Sequence, residues 1–211
     1  MLEFILDFLF PIKCGVCGKI GKYICEDCLK NIKKFQVENS EDSKIFFAYC
    51  YDDIIRKLLI NYKFNDSSYL CKTFAECIIK NKNAYNFLIK YDIIIPVPLH
   101  WKRKMERGYN QVELIAKALV KCMNNKLEIK NNILKKITNI APQSEQSGSS
   151  RINNVKGVYN VENGIQITGK RILIMDDIYT TGSTCSECKK MLMKYKPTEI
   201  GIFAVAKDYI D

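Results

Sequence analysis

Residues 172–184 combine the side chains that a phosphorylated ribose would need. An apolar run ends in two adjacent carboxylates, Asp176 and Asp177, which can accept hydrogen bonds from vicinal ribose hydroxyl groups. A short loop rich in hydroxyl groups follows and leads into a predicted helix. Its residues are Thr180, Thr181, Gly182, Ser183 and Thr184. Because backbone N–H groups at a helix start attract anions, the segment predicts a site for a ribose phosphate.

A basic cluster earlier in the chain is the second candidate for phosphate binding. Arg103 and Arg107 are four residues apart, so one helical turn would present both guanidinium groups on one face. Guanidinium groups match the geometry of phosphate oxygens. Gly108 follows and allows the backbone to turn close to a ligand. His100 is the sole histidine of the sequence, and we expect it to be structural.

Residues 138–157 form a long polar stretch that predicts a mobile loop. Loops of this length in compact domains are usually functional or disordered. Such a loop could close over a ligand and exclude water, as catalytic lids do. Arg151 is the basic residue in it that we consider a candidate for the site.

Two Cys-x-x-Cys pairs lie near the start of the sequence. Cys14 and Cys17 are followed, after seven residues, by Cys25 and Cys28. Four thiolates in this spacing can surround Zn²⁺ tetrahedrally, and a site filled entirely by cysteine is closed and therefore structural. An iron–sulfur cluster and a pair of disulfides are the alternatives.

The composition is that of a soluble globular protein. Hydrophobic residues make up 47% of the 211 residues, and no apolar run approaches the ~20 residues of a membrane span. Residues 1–10 are apolar but carry Glu3 and Asp7 and no basic residue. They therefore predict a short amphipathic helix rather than a signal peptide. We expect a cytoplasmic protein whose cysteines are reduced or bound to metal.

Positive charge is concentrated in the middle of the chain. The net charge is +10, and residues 91–160 contain 12 basic and 5 acidic residues. Lysines on solvated helix faces account for much of this excess. A concentrated positive field nevertheless suits a polyanion or a pyrophosphate group.

Apolar runs that alternate with helical patterns predict an α/β fold with a mostly parallel sheet and flanking helices. The predicted strands are residues 45–51, 91–98, 171–176 and 199–206, and the predicted helices are residues 53–62, 69–80, 111–123 and 183–195. Ligands bind at the carboxyl ends of such strands, where the aspartate pair falls. A polar stretch at residues 39–43 predicts a boundary between a zinc module at 1–40 and an α/β domain at 41–211.

A third Cys-x-x-Cys pair, Cys185 and Cys188, follows the hydroxyl-rich loop at a predicted helix start. Such a position can lower a thiol pKa, so a redox role is one hypothesis. Packing on one turn of a helix is the other, and the pattern favours it.

Taken together and in this order, the motifs resemble the ComF/ComFC family of bacterial competence proteins. They are the cysteine pairs, Pro-Val-Pro-Leu-His with Arg-x3-Arg-Gly-Tyr-Asn-Gln, the Pro-Gln…Arg-x2-Asn loop and Asp-Asp-Ile-Tyr-Thr-Thr-Gly-Ser-Thr. The resemblance implies a zinc module joined to a type I phosphoribosyltransferase fold. It also implies a part in natural transformation, during which single-stranded DNA enters the cytoplasm.

The resemblance further implies roles for individual residues towards phosphoribosyl diphosphate (PRPP). Asp176 and Asp177 would hold the ribose 2′- and 3′-hydroxyls, and residues 180–184 the 5′-phosphate. Arg103 and Arg107 would meet the pyrophosphate together with Mg²⁺, and Arg151 would come from the mobile loop. The candidate catalytic residues are Asp176, Asp177 and Arg151.

Three functions are compatible with these features. The favoured one is a DNA-uptake factor that binds PRPP or a related ribose phosphate, while its basic region and zinc module engage single-stranded DNA, a competence helicase or DNA-processing proteins. Trp101, Tyr109 and Tyr179 are candidate stacking platforms for bases. The alternatives are a phosphoribosyltransferase with an unknown acceptor, as in nucleotide salvage, and a PRPP sensor without chemistry.

Overall fold

The computed structural model of the chain describes residues 11–35, 44–64, 69–138 and 157–208. The helix predicted for residues 1–10, the boundary predicted at residues 39–43 and most of the polar loop, with Arg151, lie outside the described residues.

Helices and strands alternate along the described chain. The helices are α1 (Glu26–Lys30), α2 (Asp53–Phe64), α3 (Leu70–Ile79), α4 (Lys82–Leu88), α5 (Trp101–Arg107), α6 (Gln111–Cys122) and α7 (Ser183–Met193). The strands are β1 (Ile45–Cys50), β2 (Ile93–Pro96), β3 (Glu128–Ile129), β4 (Leu134–Lys136), β5 (Tyr159–Val161), β6 (Arg171–Tyr179) and β7 (Glu199–Lys207), and a 3₁₀ turn covers Gly164–Ile167.

Among the described residues, five strands form one sheet in the order β1-β7-β6-β2-β3. Every pairing in this sheet is parallel, as expected for strands that are connected through helices. The sheet is covered on both faces, and β2 is accordingly buried along its whole length. The predicted α/β fold with a mostly parallel sheet is thus confirmed. The antiparallel pair β4–β5 stands apart from this sheet and was not predicted.

The apolar residues of β6 alternate between two cores because successive side chains of a strand point to opposite faces. Leu173 and Met175 pack into the core that includes residues of α2, α3, α4 and α6. Ile172 and Ile174 pack into the other core, with residues of α7 and the β4–β5 pair. The same alternation continues into the two aspartates that follow.

The end of β2 creates space beside β6. Proline lacks the N–H group that a sheet requires, and β2 ends at Pro96, which pairs with Met175 of β6. On its other side β6 stays paired with β7 as far as Tyr179, so it runs three residues beyond the predicted end. Asp176 and Asp177 therefore lie in the second half of β6, just past its last pairing with β2, where the sheet continues on one side only.

The cysteine segment packs directly on the α/β core. Asn61 of α2 donates from Nδ2 to the carbonyl oxygen of Gly15 at 2.7 Å. The backbone N–H of Cys50 donates to the carbonyl oxygen of Lys33 at 3.0 Å. Ile24 and Ile32 are buried in the same core as α2 and α3. The segment thus shares its hydrophobic core with the sheet.

Candidate functional site

A cleft of about 240 Å³ opens where β6 projects past β2. We call it the carboxylate cleft. Its walls are formed by Lys63, Val97, Pro98, Leu99, Arg103, Arg107, Gln111, Val112, Lys136, Tyr159, Asp176, Asp177, Ile178 and Thr184. Both aspartates, both arginines and one threonine that the sequence pointed to therefore meet in one place.

Asp177 is held in an ionised state by groups from two helices. Lys63 of α2 lies 2.6 Å from its Oδ2 atom, and Nε2 of Gln111 donates to the same oxygen at 3.0 Å. The backbone N–H of Ile178 donates to Oδ1 at 2.7 Å. Burial alone would raise the pKa of Asp177, but the charge and hydrogen bond of Lys63 outweigh it and lower the pKa to about 2.

Asp176 faces the other side of the sheet and has a different environment. Its Oδ1 atom accepts from the backbone N–H of Asp177 at 2.8 Å, and its Oδ2 atom lies 3.9 Å from Sγ of Cys185. Burial, followed by the charge of Asp177, raises the pKa of Asp176 well above its usual value. The surroundings of Asp177 therefore favour its charged form, and those of Asp176 favour its protonated form.

The two arginines reach the cleft because α5 places them on one face. Nδ1 of His100 accepts the backbone N–H of Lys102 at 3.3 Å, which fixes the start of this helix. Gly108 ends it in the left-handed conformation, with φ of 81°. Arg107 donates to the side-chain oxygen of Gln111, and burial lowers the pKa of its guanidinium. His100 is thus structural, as expected.

The residues after Gly108 attach α6 to the cleft. Asn110 caps α6 by accepting the N–H of Val112 at 3.0 Å and donates from Nδ2 to the carbonyl oxygen of Val97 at 3.0 Å. Tyr109 packs against Tyr62 and donates its hydroxyl to the carbonyl oxygen of that residue. Tyr109 therefore contributes packing beside the cleft rather than an open face for a base.

The hydroxyl-rich loop joins β6 to α7, as the sequence predicts. Gly182 has φ of 77°, and a Cβ atom there would come within 2.1 Å of the Tyr179 hydroxyl. Oγ1 of Thr181 accepts the N–H of Ser183 at 3.4 Å. Lys207 donates to the carbonyl oxygen of Thr180 at 2.6 Å and lies over the Tyr179 ring. The loop therefore wraps the first turn of α7, and Thr184 lines the cleft.

Two lysines of the cleft were not predicted. Lys63 comes from the end of α2, and Lys136 comes from β4. Burial, and next the charge of Arg103, lowers the pKa of Lys136. A single lysine in a lysine-rich chain gives no sequence signal, so only the fold reveals these two cations.

Cys185 and Cys188 are both buried in the core beneath α7. Burial, followed by the charge of Asp176, raises the pKa of each thiol. A helix start that activates a thiol requires the opposite shift, so the structure favours the packing hypothesis.

The sulfur atoms of Cys14, Cys17, Cys25 and Cys28 all lie within 4.8 Å of one another. Those of Cys17 and Cys25 are 3.7 Å apart, close to the roughly 3.8 Å edge of a tetrahedron with metal–sulfur bonds of about 2.3 Å. The backbone N–H of Cys25 points to Sγ of Cys14 at 3.4 Å. These four residues could hold a metal ion.

The stacking candidates differ in exposure. Trp101 is 62% exposed, whereas Tyr179 is half-buried against Phe47 and Lys207. No helix among the described residues is both long and apolar enough to cross a bilayer.

Comparisons with known proteins independently support the fold. The family model of the phosphoribosyl transferase domain matches residues 112–209. The chain is 28% identical to Competence protein F of Haemophilus influenzae over 94% of this chain and 85% of that protein. It is 23% identical to Competence protein ComFC of Bacillus subtilis over 92% of this chain and 77% of that protein. The predicted type I phosphoribosyltransferase fold is confirmed.

Among solved structures, the chain is similar to an allosteric regulatory enzyme of purine biosynthesis. The similarity has a TM-score of 0.41 and 15% identity, and it covers 65% of this chain and 25% of that chain. The family model, rather than this distant similarity, carries the fold assignment.

Proposed function

This chain belongs to the ComF/ComFC family of competence proteins, and on that premise we propose that it acts in DNA uptake and binds PRPP or a related ribose phosphate in the carboxylate cleft. The observation that supports this most strongly is the meeting of Asp176, Asp177, Arg103 and Arg107 in one cleft. Carboxylates suit ribose hydroxyl groups, and guanidinium groups suit phosphates.

Each side chain then has a definite task. Asp177 is ionised and accepts hydrogen bonds from a ribose hydroxyl, and Asp176 completes the pair. The loop of residues 180–184 surrounds the 5′-phosphate at the start of α7. Arg103, Arg107 and Lys136 face the diphosphate, and Mg²⁺ that accompanies PRPP would neutralise part of its charge. Arg151 would add a further cation from the loop.

A panel of ligands tests this proposal through thermal unfolding, since a ligand that binds only the folded state raises Tm. We expect PRPP with Mg²⁺ to raise Tm more than ribose 5-phosphate or pyrophosphate does, because only PRPP engages both ends of the cleft. Equal shifts for PRPP and pyrophosphate would indicate a site for diphosphate without ribose recognition and would contradict the proposal.

Catalytic transfer of phosphoribose to an unknown acceptor is the second candidate function. The three cations at the diphosphate end favour it, because they could stabilise charge on a departing pyrophosphate. Release of pyrophosphate from PRPP with one member of a panel of nucleobases and amines would support transfer. Binding of PRPP with no release across the panel would favour a binding protein or sensor.

Zinc is the metal that we propose for the four cysteines, in a structural role. Four thiolate ligands whose sulfur atoms lie within 4.8 Å of one another favour zinc over hard cations. One zinc per chain by elemental analysis, with iron absent and no disulfide by mass spectrometry, is the expected result. Iron in place of zinc would contradict this assignment.

Single-stranded DNA, a competence helicase and DNA-processing proteins are proposed partners, in the cytoplasm. Trp101, exposed beside the basic residues of α5, is a stacking platform of the kind that single-strand binders use. Affinity for an oligonucleotide should fall steeply as the salt concentration rises. At a fixed salt concentration, Trp101→Ala should bind the oligonucleotide more weakly than the wild type does. Equal affinity in the variant would remove Trp101 from the DNA surface.

A further inference from the structure

The side chain of Gln111 bridges an arginine and an aspartate of the carboxylate cleft. Its Oε1 atom accepts a hydrogen bond from the guanidinium of Arg107, and its Nε2 atom donates to Oδ2 of Asp177 at 3.0 Å. Lys63 reaches the same Oδ2 atom at 2.6 Å. Side chains from α5, α6, β6 and α2 are therefore joined in one chain of contacts, in the order Arg107, Gln111, Asp177, Lys63.

The two partners of this amide fix its orientation. A guanidinium can only donate and an ionised carboxylate can only accept, so Gln111 must turn its oxygen to Arg107 and its nitrogen to Asp177. A glutamate in its place would present a second negative charge to Asp177. Because Gln111 is buried, with 5% of its surface exposed, water cannot readily replace either hydrogen bond.

The backbone of Gln111 is held independently of its side chain. Gln111 is the first residue of α6, and Asn110 caps this helix. The carbonyl oxygen of Gln111 accepts the hydroxyl of Tyr62 at 2.8 Å. The amide therefore extends from a fixed point of the fold, and it can hold its two partners at a set separation.

Both partners of the amide retain capacity for a ligand. A guanidinium carries several N–H donors, so donation to Gln111 is compatible with a phosphate contact by Arg107. A carboxylate can accept about four hydrogen bonds, and three donors reach Asp177, from Lys63, Gln111 and Ile178. A ligand hydroxyl can add one more. The bridge thus joins a group that suits phosphate to a group that suits a hydroxyl.

We propose that Gln111 is a positioning residue, which sets the separation between Arg107 and Asp177 so that the cleft selects ligands carrying a diphosphate and a hydroxyl on neighbouring carbon atoms. This inference rests on the proposed binding of PRPP, which carries its diphosphate on C1 and a hydroxyl on C2. Contacts that are already held at the right separation lose less freedom on binding. A ligand with only one of the two groups gains little from the bridge.

Gln111→Met tests the inference by calorimetric titration of three ligands with Mg²⁺ into the full-length protein. Methionine has a similar length but cannot bridge Arg107 and Asp177. We expect the affinity for PRPP to fall about tenfold or more, and those for pyrophosphate and ribose 5-phosphate to fall less than about threefold, since each of these two ligands uses one end of the bridge. Tyr62→Phe is the control, because it removes a hydrogen bond to the backbone of Gln111 and leaves the amide in place; it should not lose PRPP selectively.

Gln111→Glu adds a measurement that a purely structural role would not change. The charged groups nearest the new carboxyl group are Arg107 of α5, Asp177 of β6 and, beyond it, Lys63 of α2, with the phenol of Tyr62 below. At pH 7 repulsion from Asp177 should weaken PRPP binding. A protonated carboxyl group has a donor and an acceptor, as the amide has, and restores the bridge. The PRPP affinity of Gln111→Glu relative to wild type should therefore rise as pH falls from about 7 towards 5, since a neighbouring carboxylate favours protonation.

The wild type, titrated at each pH, corrects for ionisation of the ligand phosphates. Equal losses for the three ligands in Gln111→Met, or no loss for PRPP, would overturn the inference while PRPP binding stands. A relative affinity of Gln111→Glu that does not change with pH would overturn it as well, and this comparison remains decisive if Gln111→Met does not fold. A folded wild type that binds no PRPP would overturn the proposed function and this inference together.

Discussion

The pKa values of Asp176 and Asp177 are shifted in opposite directions. The reason is that successive side chains of a strand point to opposite faces of the sheet. Asp177 meets Lys63 and Gln111 on one face, and Asp176 meets Cys185 on the other. The pKa of the first is lowered to about 2, and that of the second is raised by burial and by the charge of the first. The pair therefore combines a carboxylate that ionises readily with a carboxyl that resists ionisation.

Asparagine substitutions of the two aspartates should have different effects on stability at pH 7, and only Asp177→Asn should be destabilising. Asp177→Asn leaves the largely buried ammonium of Lys63 without a counter-charge, so the free energy of unfolding should fall by about 2 kcal/mol. Asp176→Asn removes a buried carboxyl that resists ionisation and keeps its oxygen acceptor, so stability should equal or exceed that of the wild type. Urea denaturation measures both, and a greater loss in Asp176→Asn would contradict this account.

The ion pair of Lys63 also predicts how stability depends on pH. The folded pKa of Asp177 lies below the unfolded value of about 3.9, so the pair stabilises the fold above pH ~4 and this contribution is lost as pH falls towards 2. Lys63→Met should therefore be less stable than the wild type at pH 7, and the difference should shrink between pH ~4 and ~2. Lys57→Met, an exposed site on the same helix, is the control. A difference between Lys63→Met and wild type that is constant with pH would exclude the ion pair as its cause.

At the scale of elements, the cleft depends on how β6 ends and how α7 and α5 begin. Strand β6 continues past β2, the loop with Gly182 turns into α7, and α5 is fixed between His100 and Gly108. At each of these points the residue type suits the backbone conformation. The spacing between the sequence motifs therefore reflects the lengths of the strand, the loop and the helix that connect them.

Gly182→Ala should destabilise the loop by more than the cost of placing alanine in a left-handed backbone conformation, because the added Cβ also collides with Tyr179. Gly182 and Gly169 have φ of 77° and 71°, but an added Cβ meets the Tyr179 hydroxyl only at position 182 and open space at position 169. Gly169→Ala should cost about 1–2 kcal/mol of unfolding free energy, for the left-handed backbone, and leave PRPP affinity unchanged. Gly182→Ala should cost more and weaken PRPP. Equal effects of Gly182→Ala and Gly169→Ala on PRPP affinity would show that the loop does not contribute to PRPP binding.

Helices and strands with a clear local periodicity could be predicted from the sequence. Contacts between residues that are far apart in the chain could not. The helices at Asp53–Phe64 and Gln111–Cys122 and the strand at Glu199–Lys207 lie within a few residues of their predicted bounds. The antiparallel pair β4–β5 was missed because strands of three residues carry almost no periodicity. Lys63 was missed because its partner Asp177 is far away in the chain and meets it only through the packing of α2.

At the scale of the whole molecule, the cysteine segment and the sheet share one core. Ile24 and Ile32 pack with residues of α2 and α3, and Gly15 accepts a hydrogen bond from Asn61. Loss of the proposed metal should therefore affect the structure beyond the four cysteines.

Removal of metal should lower the stability of the complete chain. A chelator, or Cys25→Ser, should reduce the free energy of unfolding by about 3 kcal/mol, the stabilisation that a ligand of the folded state supplies at roughly 100 times its Kd. This corresponds to a decrease in Tm of roughly 6–12 °C for a chain of this size. Cys122→Ser, at an exposed cysteine outside the cluster, is the matched control. An unchanged Tm in Cys25→Ser, with metal lost, would show that the segment does not support the core.

Calorimetric titration of PRPP with Mg²⁺ measures whether the carboxylate cleft binds this ligand. The wild type and Asp176→Asn/Asp177→Asn are compared after both are shown to be folded by circular dichroism. Saturable binding of one PRPP per wild-type chain, lost in the double variant, is the predicted result. A folded wild type that binds no PRPP, or a double variant that binds it equally well, would contradict the assignment of the carboxylate cleft.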